Sequence, residues 1–119
     1  MGANIGIRRA YDAPTRGDGY RVLVDRLWPR GVVKHEARID EWWREVAPSD
    51  ELRRWFGHDP DRWEEFRDRY RRELASRGDQ IDRLLTRAAQ GRMTLVYGAR
   101  DEAQNNAVVL REYLTERMG

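Results

Sequence analysis

The sequence predicts a small α/β domain, a mainly parallel sheet of about three to four strands with helices packed on it. Three observations carry that expectation. The apolar residues change period along the chain: alternation near the start, helical spacing through the middle, a short apolar run, then helical spacing again. The second and last strand-like segments are each followed by helical ones, the order that suits parallel pairing. No repeat, low-complexity tract or linker interrupts residues 1–119, which read as one domain of common size.

The first element is a short strand over residues 4–9, where Ile5 and Ile7 alternate with polar neighbours. Tyr11 to Gly19 is dense in turn formers. Tyr20 to Leu27 is β-rich around Val22-Leu23-Val24, and Pro29 and Gly31 break it. The first strand is free to pair with the second in either direction. Ile39, Trp42, Trp43 and Val46 then recur at helical spacing, so a helix is expected there. If Trp42 and Trp43 share that helix, one of them points away from the face the other buries and lines a cleft or an interface.

Ser49 is a good N-cap, with Asp50 and Glu51 in the first turn of a short helix carrying Leu52, Trp55 and Phe56 up to Gly57. Asp59-Pro60 is a second start signal, a capping acid followed by proline. The next helix places Trp63, Phe66, Tyr70 and Leu74 on one stripe until Gly78 interrupts it. Ile81, Leu84, Leu85, Ala88 and Ala89 form another stripe ending near Gly91. Met93 to Tyr97 reads as a buried strand ending at Gly98. Asp101 to Gln104 has the spacing of a capping box, with Asp101 as the cap of a last helix that turns Ala107, Leu110, Tyr113 and Leu114 inward.

Composition narrows the function classes. The chain has no cysteine, which removes disulfides, thiolate metal sites and cysteine nucleophiles and fits a reducing cytoplasm. No run reaches the roughly 18 apolar residues of a membrane span. The start, Met1 to Gly6, lacks the charged and apolar regions of a secretory signal. Charged residues make up 37% of the chain, yet the net charge is only +2. Of 23 basic residues, Lys34 is the only lysine, leaving 22 arginines. Guanidinium forks suit phosphate and carboxylate, although a G+C-rich genome produces the same bias. The near balance of charge argues against a simple nucleic-acid-binding surface.

In open parallel sheets, ligands bind beyond the carboxyl ends of the strands. The end of the second strand offers Asp25, Arg26, Trp28 and Arg30. Asp25 is an acid/base candidate, Arg26 and Arg30 are anion contacts and Trp28 is a stacking platform. The plainer reading is a salt-bridged loop with Trp28 plugging the core. Strict alternation would put Asp25 and Arg26 on opposite faces. The end of the last strand offers Tyr97 as a wall and Asn105 as a hydrogen-bond donor, beside a helix N-terminus that favours an anion. Asn105 and Asn106 are equally suited to local capping, or one of them faces the pocket. His58, in a tight turn beside Asp59, is a more remote acid/base candidate or simply an exposed residue. His35 reads as a surface residue. The histidine and carboxylate spacings give no metal signature, and no dinucleotide or Walker fingerprint is present, so no metal or cofactor is expected.

Several stretches together resemble the YeaO-like family, a branch of the domain-of-unknown-function group numbered 488. They are Arg9 to Asp12, Asp18 to Gly31, Ala47-Pro48-Ser49 with Glu51-Leu52-Arg53, Phe66-Arg67 with Tyr70, and Thr94 to Tyr97 with Asn105 and Ala107. The resemblance spans almost the whole chain. It implies a cytoplasmic bacterial or archaeal α/β domain and no particular activity. The chain departs from the pattern at Asn106, where relatives often carry His, so a mechanism needing a protonatable group there does not carry over. The leading expectation is a small-ligand or substrate site for an anion at the carboxyl edge of the sheet. The alternatives are a nucleic-acid-binding module using Arg67, Arg71 and Arg72 with Arg16 and Arg30, and a non-catalytic dimer or partner domain using an exposed tryptophan.

Overall fold

Strands β1 (Ile5–Arg9), β2 (Tyr20–Leu23), β3 (Glu41–Trp42) and β4 (Met93–Tyr97) form one sheet in the order β1-β4-β2-β3, and every pairing is parallel. The structure is a computed structural model and describes residues 4–118. Met1 to Ala3, on which part of the secretory-signal reading rests, lie outside the described residues. The expected α/β fold is thus observed, and β1 pairs with β4 rather than β2, which settles the open question of its partner. β4 is buried along its whole length, as a central parallel strand covered on both faces should be.

Helices α2 (Asp50–Phe56), α3 (Trp63–Ala75), α4 (Gly78–Ala89) and α5 (Asn106–Met118) contribute to the larger core, which forms on one face of the sheet. There Phe66, Tyr70, Leu84, Leu110 and Leu114 meet Val22 and Leu95. The short helix α1 (Lys34–Ala37) covers the other face, where Ala37 and Ile39 pack with Leu23 and Val96. Neighbouring residues of a strand point to opposite faces, so Leu95 and Val96 feed the two cores in turn.

The capping signals act largely where the sequence places them. Ser49 Oγ accepts from Leu52 N at 3.2 Å, and Asp59 Oδ1 accepts from Asp61 N at 3.0 Å. Pro60 opens a 3-10 turn, Pro60–Arg62, that leads into α3. Gly78 separates α3 from α4 by becoming the first residue of α4.

Three expectations are corrected. The stretch from Ile39 to Val46 is not a helix: it is the two-residue strand β3 followed by the 3-10 turn Arg44–Val46. Its apolar residues serve both cores, Ile39 and Trp42 on one face and Trp43 and Val46 on the other. A run this short matches helical spacing by coincidence, and the free edge of β2 captures it. β2 itself ends at Leu23 rather than Leu27, although Val24 N still bonds Val96 O at 3.0 Å. Asp101 caps only a turn, accepting from Ala103 N at 2.8 Å and Gln104 N at 2.9 Å. The last helix starts later, with Asn105 Oδ1 accepting from Val108 N at 3.0 Å.

Candidate functional site

The chain leaving β2 runs to α1 on one face of the sheet, while the chain leaving the adjacent β4 runs to α5 on the other. Neighbouring strands whose continuations diverge leave a crevice at their carboxyl ends. A cavity of about 260 Å³ lies there, lined by the loop after β2 from Asp25 to Pro29, by Gly98 and Ala99 after β4, and by Asn105 and Asn106. Tyr11, Pro48, Arg53, Phe56, His58 and Phe66 complete its wall.

Asp25 is the best-anchored group in this cavity. Its Oδ2 accepts from Gly98 N at 2.8 Å, and its Oδ1 accepts from Asn106 Nδ2 at 3.1 Å. Its main-chain carbonyl accepts from Trp42 Nε1 at 2.8 Å. Burial pushes its carboxyl above the usual carboxylate range, while the bonds from Asn106 and Gly98 and the His58 imidazole pull it part of the way back. Gly98 eases this contact, since a Cβ there would lie 3.1 Å from Asp25 Oδ2 and 3.2 Å from Pro29, close enough that its neighbours would have to shift by a few tenths of an ångström.

Arg26 lines the same cavity, because the strand has ended before it and strict alternation no longer applies. Its Nε donates to Pro48 O at 3.0 Å and its Nη2 to Ala47 O at 3.3 Å, which ties the β2 loop to the entry of α2. Arg53, one turn into α2, donates from Nη2 to Asp50 Oδ1 at 3.3 Å. Its buried Nε has no hydrogen-bond partner among the described residues. His58 is exposed and has a left-handed backbone with φ of 58°, directly after Gly57 at 52°. Its ring centroid stands 5.7 Å from that of Phe56.

Trp28 and Tyr11 form aromatic walls. Trp28 Nε1 donates to Val32 O at 2.7 Å, and its ring meets Trp42 edge-on at 5.4 Å. Tyr11 donates its hydroxyl to Arg30 O at 2.8 Å.

The predicted residues thus separate into two groups. Asp25, Arg26, Trp28, His58 and Asn105 line one cavity. Arg30 is exposed and contributes only its carbonyl to Tyr11, and Tyr97 is buried; neither side chain lines the cavity. Asn105 has both amide ends engaged, accepting from Val108 N and donating to Asp101 O at 2.8 Å. Its neighbour Asn106 is the one that reaches the carboxylate. Sequence reasoning did not single out Arg53, Tyr11, Gly98 or the anchoring role of Trp42. Tyr11 and Arg53 lie in stretches that carried the family resemblance, and that was their only signal. Trp42 was hidden by the mistaken helix. Among the described residues no cluster of three or more His, Asp or Glu is placed to hold a metal ion.

Comparison with known proteins then places the chain. A family model described as "Inactive DUF488-N3 subclade" matches residues 4–119. The chain belongs to the YeaO-like DUF488 family. It is 43% identical over 111 residues to "Uncharacterized protein YeaO" of Escherichia coli K12, covering 93% of this chain and 96% of that one. It is 40% identical over 115 residues to "Uncharacterized protein Mb3100c" of Mycobacterium bovis and, at the same identity and length, to "Uncharacterized protein Rv3073c" of Mycobacterium tuberculosis. Each of these two matches covers 95% of both chains. No solved structure gives a significant match. No helix among the described residues is long and apolar enough to cross a membrane.

Proposed function

We propose that the cavity between the ends of β2 and β4 binds a small anionic molecule and holds it without turning it over. The observation that carries this reading is that two arginines, Arg26 and Arg53, line one cavity. Guanidinium forks present N–H donors in a plane, and an oxyanion is the acceptor that best suits them.

Binding is favoured over catalysis for two reasons. Asp25 is held by fixed donors on both oxygens, and the matching subclade is described as inactive. The nucleic-acid alternative is weakened by ion pairing. Arg67 pairs with Glu112 at 2.8 Å and Arg71 with Glu116, so that two members of the arginine stripe are neutralised within the molecule.

Calorimetric titration with inorganic phosphate and with acetate at low ionic strength tests the proposal. At least one anion should bind, and Arg53→Gln should weaken it by roughly tenfold, the scale of one charge-assisted hydrogen bond. The variant should fold, because the Arg53–Asp50 pair it removes is largely exposed. Equal affinity in the two proteins, or no binding of either anion, would overturn the reading.

A further inference from the structure

We infer that the ligand is a one-ring aromatic acid, with its ring against Tyr11 and Trp28 and its charge at Arg26 and Arg53. This inference rests on the anion-site reading and adds the class of molecule that carries the charge.

The cavity lining is chemically mixed: Arg26, Arg53 and Asp25 line it together with Tyr11, Leu27, Trp28 and Phe56. An inorganic anion would engage only the charged groups. Part of the apolar wall is open to solvent: Leu27 is 56% and Tyr11 48% exposed. An apolar ring laid against them removes that surface from water.

The two aromatic walls are fixed in a particular way. The Tyr11 hydroxyl is engaged by the carbonyl of Arg30, and the Trp28 indole N–H by the carbonyl of Val32. Their polar ends are therefore used inside the molecule, and the ring surface left to meet a ligand is that of Trp28 and the part of Tyr11 not covered by Arg9, whose guanidinium lies 5.1 Å from the Tyr11 ring centroid. Trp28 is also braced edge-on by Trp42, whose own N–H holds the carbonyl of Asp25. A wall set in place before binding costs little ordering entropy when the ligand arrives. Flat rings are the partners that such surfaces favour, through stacked or edge-to-face contact.

Size then limits the ligand. At about 260 Å³ the cavity falls just below the roughly 300–1,000 Å³ typical of sites for drug-sized molecules. One ring and one acidic group fit within that space, whereas a dinucleotide does not.

The test compares acetate, benzoate, cyclohexanecarboxylate and benzyl alcohol by calorimetry on the full chain. Benzoate should bind at least tenfold more tightly than acetate and several-fold more tightly than cyclohexanecarboxylate, and benzyl alcohol should bind at least tenfold more weakly than benzoate. Trp28→Leu and Tyr11→Leu should each bring benzoate towards acetate. Nuclear Overhauser contacts from benzoate ring protons to Tyr11 and Trp28 in the unaltered protein give a readout that survives if a variant fails to fold. Benzoate no tighter than acetate, with acetate still bound, overturns the ring assignment and leaves the anion site standing. Benzyl alcohol as tight as benzoate overturns the acid assignment, and the phosphate and acetate titrations then decide the anion site separately. Binding of none of the four overturns the aromatic-acid assignment, and the phosphate titration then decides the anion site separately.

Discussion

At the scale of single residues, His58 is where backbone strain and the candidate site coincide. Its φ of 58° is a conformation that costs a residue with a Cβ roughly 1 kcal/mol or more. Histidine tolerates it better than most. The residue nevertheless brings an imidazole to the cavity wall, where it lowers the proton affinity of Asp25. His58→Gly should therefore separate the two properties. The strain is relieved, and the extra freedom of glycine in the unfolded chain offsets part of the gain. Urea denaturation should find the variant as stable as the parent or more stable, by up to about 1 kcal/mol. Anion affinity measured on the same sample should fall, because the cavity wall loses an imidazole N–H donor. A variant that loses stability while keeping its affinity would show that the imidazole serves the turn and not the site. His58 was visible in the sequence only as a histidine beside an acid in a turn. Its left-handed backbone and its neighbours across the cavity depend on contacts between elements distant in sequence.

At the scale of elements, the start of α5 shows how two adjacent asparagines divide the work. Asn105 satisfies Val108 N and Asp101 O, so it belongs to the helix start. Asn106 donates to Val24 O at 3.0 Å and to Asp25 Oδ1, so it joins α5 to the loop after β2. Asn105→Ala should cost about 1 kcal/mol, the usual value of a lost N-cap, and leave anion affinity unchanged. Asn106→Ala places a better helix former at the first helical residue but leaves a buried carbonyl and a carboxylate without their donor. Its stability loss should be similar or larger, and its effect on anion binding larger. Denaturation midpoints and titrations of both variants decide this. If Asn105→Ala abolishes binding while Asn106→Ala preserves it, the roles are reversed. The sequence pointed to Asn105 as the donor at the site, with local capping as the alternative; the structure gives the helix start to Asn105 and the contact with Asp25 to Asn106, and Asp101 obscured this by offering a competing start four residues before Asn105. The same limit explains β3. Helical spacing over eight residues is weak information, and the open edge of β2 overrode it. Longer patterns, such as the stripe from Trp63 to Leu74, were legible because they span several turns.

At the scale of the whole molecule, the buried Asp18 and the partly buried Asp25 give stability opposite dependences on pH; the sequence marked Asp25 as an acid/base candidate but signalled neither dependence. Both depend on which distant groups the fold brings near them. Asp18 is buried against Arg21, with Nη1–Oδ2 at 2.6 Å, and takes further bonds from Arg8 and Thr15. Desolvation pushes its carboxyl up, but the bonds from Thr15 and Arg8 outweigh that and hold it at about 2, against 3.8 unperturbed. A lowered value means that the native state binds its proton less readily than the unfolded state. Asp18 therefore contributes stability above pH 3.8 that is lost as pH falls towards 2, at most about 2 kcal/mol. Asp25 has the reverse sign. Burial raises its carboxyl above 3.8, so the native state binds that proton more readily than the unfolded state. Its favourable contribution is present below pH 3.8 and is lost as pH rises through the raised value, where a buried charge must form. Asp25→Asn isolates this second effect, because Asp18 and the exposed acids titrate alike in both proteins and cancel in the difference. Urea denaturation from pH 3 to pH 7 should show the parent most favoured over Asp25→Asn at the acid end and progressively less so as pH rises. A difference that stays flat across this range would mean that Asp25 ionises as freely in the folded protein as in the unfolded chain. A difference that grows with pH would mean that Gly98 and Asn106 over-compensate for burial. The carboxylate would then be a fixed negative charge at the mouth of the site, and an anion could bind there only by overcoming its repulsion.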